Sequence, residues 1–180
     1  MDLLCTPAVL SETMRLALML VATLAFASLA NAGGGIIAAH GVRMLVPEGW
    51  QRIKAADPGP LTDPSTLLVV GTAGVLPKPR PARCEIAKYH VPSVGAVVVL
   101  FGWKRLSDSG AQRQKPGRWP LNAMVAVRRG VFECFAGRGA GATVTLSGKA
   151  YQVNVMAGDR ASKQRVTEAL AVGRSFDLSR

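Results

Sequence analysis

The chain has 180 residues, with 22 Lys and Arg against 11 Asp and Glu and a formal charge of +11 at pH 7. That length suits one domain behind a short leader, and no repeat, linker or composition break marks a second domain. Two histidines and three cysteines without ligand spacing exclude a structural zinc site, and no cofactor is expected.

Arg15 precedes an uncharged apolar run over 16–30, and Ala30-Asn31-Ala32 supplies the small-x-small pattern of a cleavage site. The reading is a secretory signal peptide over 1–32, cleavage before Gly33, and a secreted or extracytoplasmic protein. Met14 as the true start would place Met-Arg directly before the apolar run and remove Asp2, Cys5 and Glu12. The alternative is a membrane anchor formed by an uncleaved N-terminal helix. A spanning helix needs about 20 apolar residues, a length reached here only by including Asn31 and the poorly helical Gly33-Gly34-Gly35.

Residues 33–41 read as a flexible lead-in. Val42–Val46 is the first predicted strand, ended by the turn Pro47-Glu48-Gly49, after which Trp50 can fold back over an apolar face. Residues 57–66, DPGPLTDPST, form a loop, 67–70 a buried strand, and 77–81 a second Pro-rich loop before a strand at 84–89. AVVVLF at 96–101 is β-branched and apolar on both faces, so it belongs at the centre of a sheet covered on both sides. A polar stretch over 104–120 leads to two hairpins, 124–127 with 131–135 around Arg128-Arg129-Gly130, and 143–146 with 151–155 around Ser147-Gly148-Lys149. Tyr151, Val153 and Val155 alternate with Gln152 and Asn154, as in a half-buried strand. The period then changes. Asp159 as N-cap, with Val166, Ala169, Leu170 and Gly173 on one stripe, predicts a helix over 160–174, followed by Phe176 and Leu178 pinning the tail. The fold class that results is α+β, a mainly antiparallel β-sheet with a C-terminal amphipathic helix packed on one face. It occupies a single secreted domain over 33–180.

Residues 33–180 carry 21 basic and 9 acidic residues, a formal charge of +12. Such a field attracts an anionic cell-wall polymer or membrane surface, although a GC-rich genome would inflate Arg in the same way. No specific nucleic-acid partner is expected. Cys84 and Cys134 are the two cysteines left after cleavage, and an even count in an exported chain argues for a disulfide. Closing a loop of about 50 residues would stabilise by about 4 kcal/mol in the chain-entropy model.

Most chemical motifs fail on context. Residues 137–142, GRGAGA, satisfy a loose dinucleotide pattern, but a strand follows where a helix is required, so a turn is expected. Ser147-Gly148-Lys149-Ala150 lacks the first Gly and the metal-binding hydroxyl of a phosphate loop and reads as a hairpin turn. His40 lies in the lead-in and His90 at a strand end. No G-x-S-x-G singles out a nucleophilic serine, and no catalytic residue is assigned. The remaining candidate is a patch for an anionic ligand at Lys104, Arg105, Arg113, Lys115, Arg118 and Trp119. Its five cations against Asp108 give a local charge of +4, with Trp103 and Trp119 at its ends. The competing reading is a solvated loop whose tryptophans belong to the core.

Val46-Pro47-Glu48-Gly49-Trp50 near the start of the mature chain, and Ala169-Leu170 through Ser175-Phe176 at its end, carry a resemblance to Mog1/PsbP-like domains. The chain is also similar to small exported proteins of GC-rich bacteria, from which no activity carries over. The Mog1/PsbP-like resemblance implies a binding or assembly role and supplies no site residues. The expectation is therefore an exported, disulfide-stapled, non-catalytic binding or cell-envelope module. The alternative is a small secreted hydrolase with an unidentified serine nucleophile.

Overall fold

A computed structural model describes residues 34–56, 63–78, 88–104, 128–129, 132 and 135–179. The chain divides into two units between Gly33 and Gly34, and every described residue belongs to the second. The expected signal peptide lies outside the described residues.

The strands in chain order are β1 (Gly35–Ala39), β2 (Val42–Val46), β3 (Trp50–Arg52), β4 (Ser65–Thr72), β5 (Leu76–Pro77), β6 (Tyr89–His90), β7 (Ala96–Trp103), β8 (Arg128–Arg129), β9 (Arg138–Leu146) and β10 (Lys149–Ala157). Helix α1 (Lys163–Arg174) and a short β11 (Asp177–Leu178) complete the chain. Six strands form the main sheet in the order β3-β4-β7-β10-β9-β8, three form a second in the order β1-β2-β11, and β5 pairs with β6. Every described ladder is antiparallel. The fold is α+β, a mainly antiparallel sheet with one C-terminal helix packed against it.

The main sheet separates two cores. On one face Val98 and Leu100 of β7, Val153 and Val155 of β10, and Leu68 and Val70 of β4 meet α1 and the β1-β2-β11 sheet. On the other, Val97, Val99, Val69 and Met156 meet Ile53, Val75, Tyr89 and Phe132. As its composition predicts, β7 is interior to the sheet and buried on both sides, with residues 96–100 all within 1 % exposure. Each such valine or leucine contributes about 1.5–3 kcal/mol relative to exposure. β10 is more buried than its alternation suggests. Asn154 is 1 % exposed in the second face, where its Oδ1 accepts a hydrogen bond from Gln152 Nε2 at 3.1 Å.

Two tight turns set the hairpins. Ser147 and Gly148 take φ of 51° and 75° between Leu146 and Lys149, and His40 and Gly41 take 50° and 78° between Ala39 and Val42. Two central residues with positive φ twist in the same sense as the strands they join, the geometry of a type I′ turn. The Ser147-Gly148 turn is the one expected. The His40-Gly41 turn corrects the flexible lead-in: β1 pairs along its whole length with β2, because Ile37 and Ala39 have an apolar face to cover.

Three further expectations are corrected. Residues 138–142 of the glycine-rich motif are strand, not turn, because the edge of β10 is open to pair with them. A Cβ on Gly139 would lie 2.5 Å from the Phe132 ring, so glycine is what lets that ring lie against the strand. Arg128 and Arg129 are not a hairpin turn either; they pair with Gly139 and Arg138 as β8. The loop expected to run to residue 66 gives way earlier, since Ser65 and Thr66 already pair with Gly102 and Phe101.

The helix starts three residues later than expected. Gly158 N–H donates to the Gly95 carbonyl and Arg160 N–H to the Ser93 carbonyl, both at 2.9 Å, so this backbone is committed to the sheet end. Ser162, not Asp159, is the N-cap, its side chain accepting from Arg165 N–H at 3.1 Å. Ala169, Val172 and Gly173 are buried, with Val166 and Leu170 packed beside them, and Phe176 is 1 % exposed.

Candidate functional site

β3 and β4 pair from Trp50–Thr72 to Arg52–Val70, and Ile53 N–H then donates to the Val69 carbonyl at 2.9 Å. Beyond that rung the two segments splay. The fork opens a cleft of about 310 Å³ floored by Leu67, Leu68 and Val69 and rimmed by His40, Arg52, Lys54 and Thr66. Among the described residues no carboxylate lines it. Asp63, two residues before β4, accepts the Lys104 backbone N–H at 2.9 Å.

The diverging wall is held at both ends. Ile53 is buried in the second core, which leaves Arg52 and Lys54 exposed on either side of it in sequence. Three residues on, the Ala56 N–H donates to the Tyr89 hydroxyl at 3.0 Å. Burial pushes the Tyr89 phenol above its ordinary value, and the hydrogen bond from Ala56 works weakly the other way. The wall that carries Lys54 is thus fixed by one backbone rung and one tyrosine.

Two other openings are chemically different. One of about 210 Å³, where β10 ends, is lined by Lys78, Tyr89, His90, Phe135 and Asp159 among others, with no serine or cysteine among the described residues that line it. The third, about 220 Å³, lies beside β2, and its cation is matched: Arg43 Nη2 is 2.8 Å from Asp177 Oδ2. Of these three openings, the first gathers basic side chains with no acid among the described residues that line it.

Of the residues singled out from sequence, Lys104 lies at the end of β7, next to the half-buried Trp103, whose indole Nε1 is buried without a hydrogen-bond partner among the described residues. Arg105, Arg113, Lys115, Arg118, Trp119, Cys84 and Cys134 lie outside the described residues. Among the described residues no group of His, Cys, Asp or Glu could hold a metal, and no helix is long and apolar enough to cross a membrane. Three serine hydroxyls have structural work. Ser65 donates to the Gly102 carbonyl, Ser162 caps α1, and Ser175 bonds to β2.

Arg52 and Lys54 were not legible as a site. The pattern Arg52-Ile53-Lys54 signals only a strand-like alternation, and the cleft arises from the place where β3 lets go of β4. Compared with protein-family models, curated proteins and solved structures, the chain finds no match.

Proposed function

We propose that this is an exported, disulfide-stapled, non-catalytic binding module that recognises an anionic component of the cell envelope. The observation that carries the reading is the cleft at the β3–β4 fork, where His40, Arg52 and Lys54 gather with no carboxylate among the described residues that line it. The charge of +12 over 33–180 adds a long-range field of the same sign. Lys104 follows β7, whose Gly102 pairs with Ser65 at the start of β4, the strand that lines the cleft. Cys84 and Cys134 are assigned to one disulfide on their number and compartment. The turn before Trp50 and the closing Ser175-Phe176 carry a sequence resemblance to Mog1/PsbP-like domains, and a domain of that kind would fit a binding role.

Retention on isolated cell wall tests this. The purified protein is expected to be held at about 0.1 M salt and released near 1 M, where the Debye length falls from about 10 Å to about 3 Å. Replacing Arg113, Lys115 and Arg118 together by Ser is expected to weaken retention more than replacing the exposed Lys149, Arg160 and Lys163. No retention at low salt would refute the reading. Equal loss in both variants would remove the 104–118 segment from the site and leave net charge alone.

A further inference from the structure

We infer that the cleft at the β3–β4 fork is a binding site for a linear phosphodiester polymer, seated along β4 beyond the last described β3–β4 rung with successive phosphates on Arg52 and Lys54. This rests on the reading of the protein as a binder of anionic envelope material and names the chemistry at one place on it.

Three features lead there. Arg52 ends β3 and Lys54 follows two residues on, both exposed, with Ile53 buried between them and bonded to Val69; continued strand alternation would put both cations on one side about 7 Å apart, twice the strand rise. That spacing is comparable to the repeat of a polymer with short carbon linkers between phosphodiesters, and a single small anion would meet only one of the two cations. Arg52 adds a planar fork that matches two phosphate oxygens, while Lys54 adds a point charge. Finally, the ladder between β3 and β4 stops at Ile53 and Val69, so the cleft is a trough along a strand edge, with the Thr66 hydroxyl on its rim. An extended chain fits that shape. A lipid bilayer would instead contact a convex or flat face, which makes the membrane the competing ligand.

Calorimetric titration of the purified protein separates the possibilities. The probes are glycerol phosphate, a poly(glycerol phosphate) oligomer, polygalacturonate as a carboxylate polymer, and phosphatidylcholine vesicles with and without phosphatidylglycerol. The oligomer is expected to bind at least 10-fold tighter than monomeric glycerol phosphate and than polygalacturonate at equal charge. R52S/K54S should lower oligomer affinity at least 10-fold, and K149S/K163S, which removes the same charge elsewhere, less than 3-fold. H40N is expected to cost less than R52S/K54S; Asn tolerates the positive φ at this turn, so the hairpin is kept. All four replaced cations are exposed, and an unchanged melting temperature checks that the fold is intact. Equal loss in the two double variants overturns the site. Tighter binding to anionic vesicles than to the oligomer, or equal binding to polygalacturonate, overturns the ligand class. If cell wall retains the protein while the oligomer does not bind, this inference fails and the broader reading stands; if neither holds the protein, both fail.

Discussion

The Ser175 side chain replaces a rung of the sheet at Leu45. Its Oγ accepts the Leu45 N–H at 2.8 Å, and its single proton has the Val172 carbonyl at 2.7 Å and the Leu45 carbonyl at 3.1 Å as acceptors. The reason lies in the backbone. Ser175 is helical, with φ −85° and ψ −2°, and its own N–H is committed to Val172 at the end of α1. Asp177 pairs with Arg43, so residue 175 is the one that falls opposite Leu45, and a hydroxyl does there what the main chain cannot. Thr72 does the same at the other end of the molecule's long strands, accepting the Ala96 N–H at 3.1 Å.

Ser175→Ala is therefore expected to destabilise by about 1 kcal/mol, since Leu45 is exposed enough for water to take over part of the bond. Amide exchange at Leu45 should accelerate more than at Val42 or Arg43. Unchanged protection at Leu45 would show that the hydroxyl is not a working rung.

Gly139→Ala places a Cβ against Phe132 and is expected to cost about 1–3 kcal/mol by overpacking. Combined with Phe132→Leu, the loss should be smaller than the sum of the two single losses, because the smaller side chain vacates the contact. Urea unfolding of the four proteins in the cycle measures this. Strict additivity would contradict the packing of Phe132 on β9.

Tyr89 and Tyr151 both have phenols raised by burial, so folding favours their protonated forms. Each contributes stability that is present below the unfolded value of about 10 and lost as pH rises through the folded value. Stability measured between pH 8 and 11 should fall in the upper part of that window. Tyr89→Phe should flatten the fall, and at pH 7 it should cost about 1–3 kcal/mol because the Ala56 N–H loses its acceptor. A variant as stable as the parent at pH 7 would argue against that hydrogen bond.

Non-reducing peptide mapping of the native protein should recover Cys84 and Cys134 in one cross-linked pair, and reduction should lower stability by about 4 kcal/mol on the chain-entropy model. Alkylation of both thiols without reduction would refute the pairing.

What sequence could reveal depended on whether a signal was local. AVVVLF read as a doubly buried strand because β-branched residues on both faces leave no solvent side. The Ser147-Gly148 turn and the stripe through Ala169 were equally legible from turn chemistry and helical period. β1, β8 and the first half of β9 were not, since Gly35, Gly139 and Gly141 carry no side-chain pattern and their pairing is imposed by neighbouring strand edges. The N-cap is not decided by sequence because Asp159 is as good a capping residue as Ser162; the bonds of Gly158 and Arg160 to the sheet end decide between them. The cleft belongs to the illegible part as well, being the product of a ladder that ends.

The bonds at Ile53 and Ala56 turn the short span between them into a replaceable part. Lys54 and Ala55 are exposed and neither is needed by a core, whereas the residues at both ends are buried. On the proposed binding role, substitutions within the span would change which ligand is preferred while leaving the buried bracket, and so the fold, in place. Because the span is already ordered, binding there loses little conformational freedom. Related chains would then be expected to share the buried bracket and diverge in what it holds out to solvent.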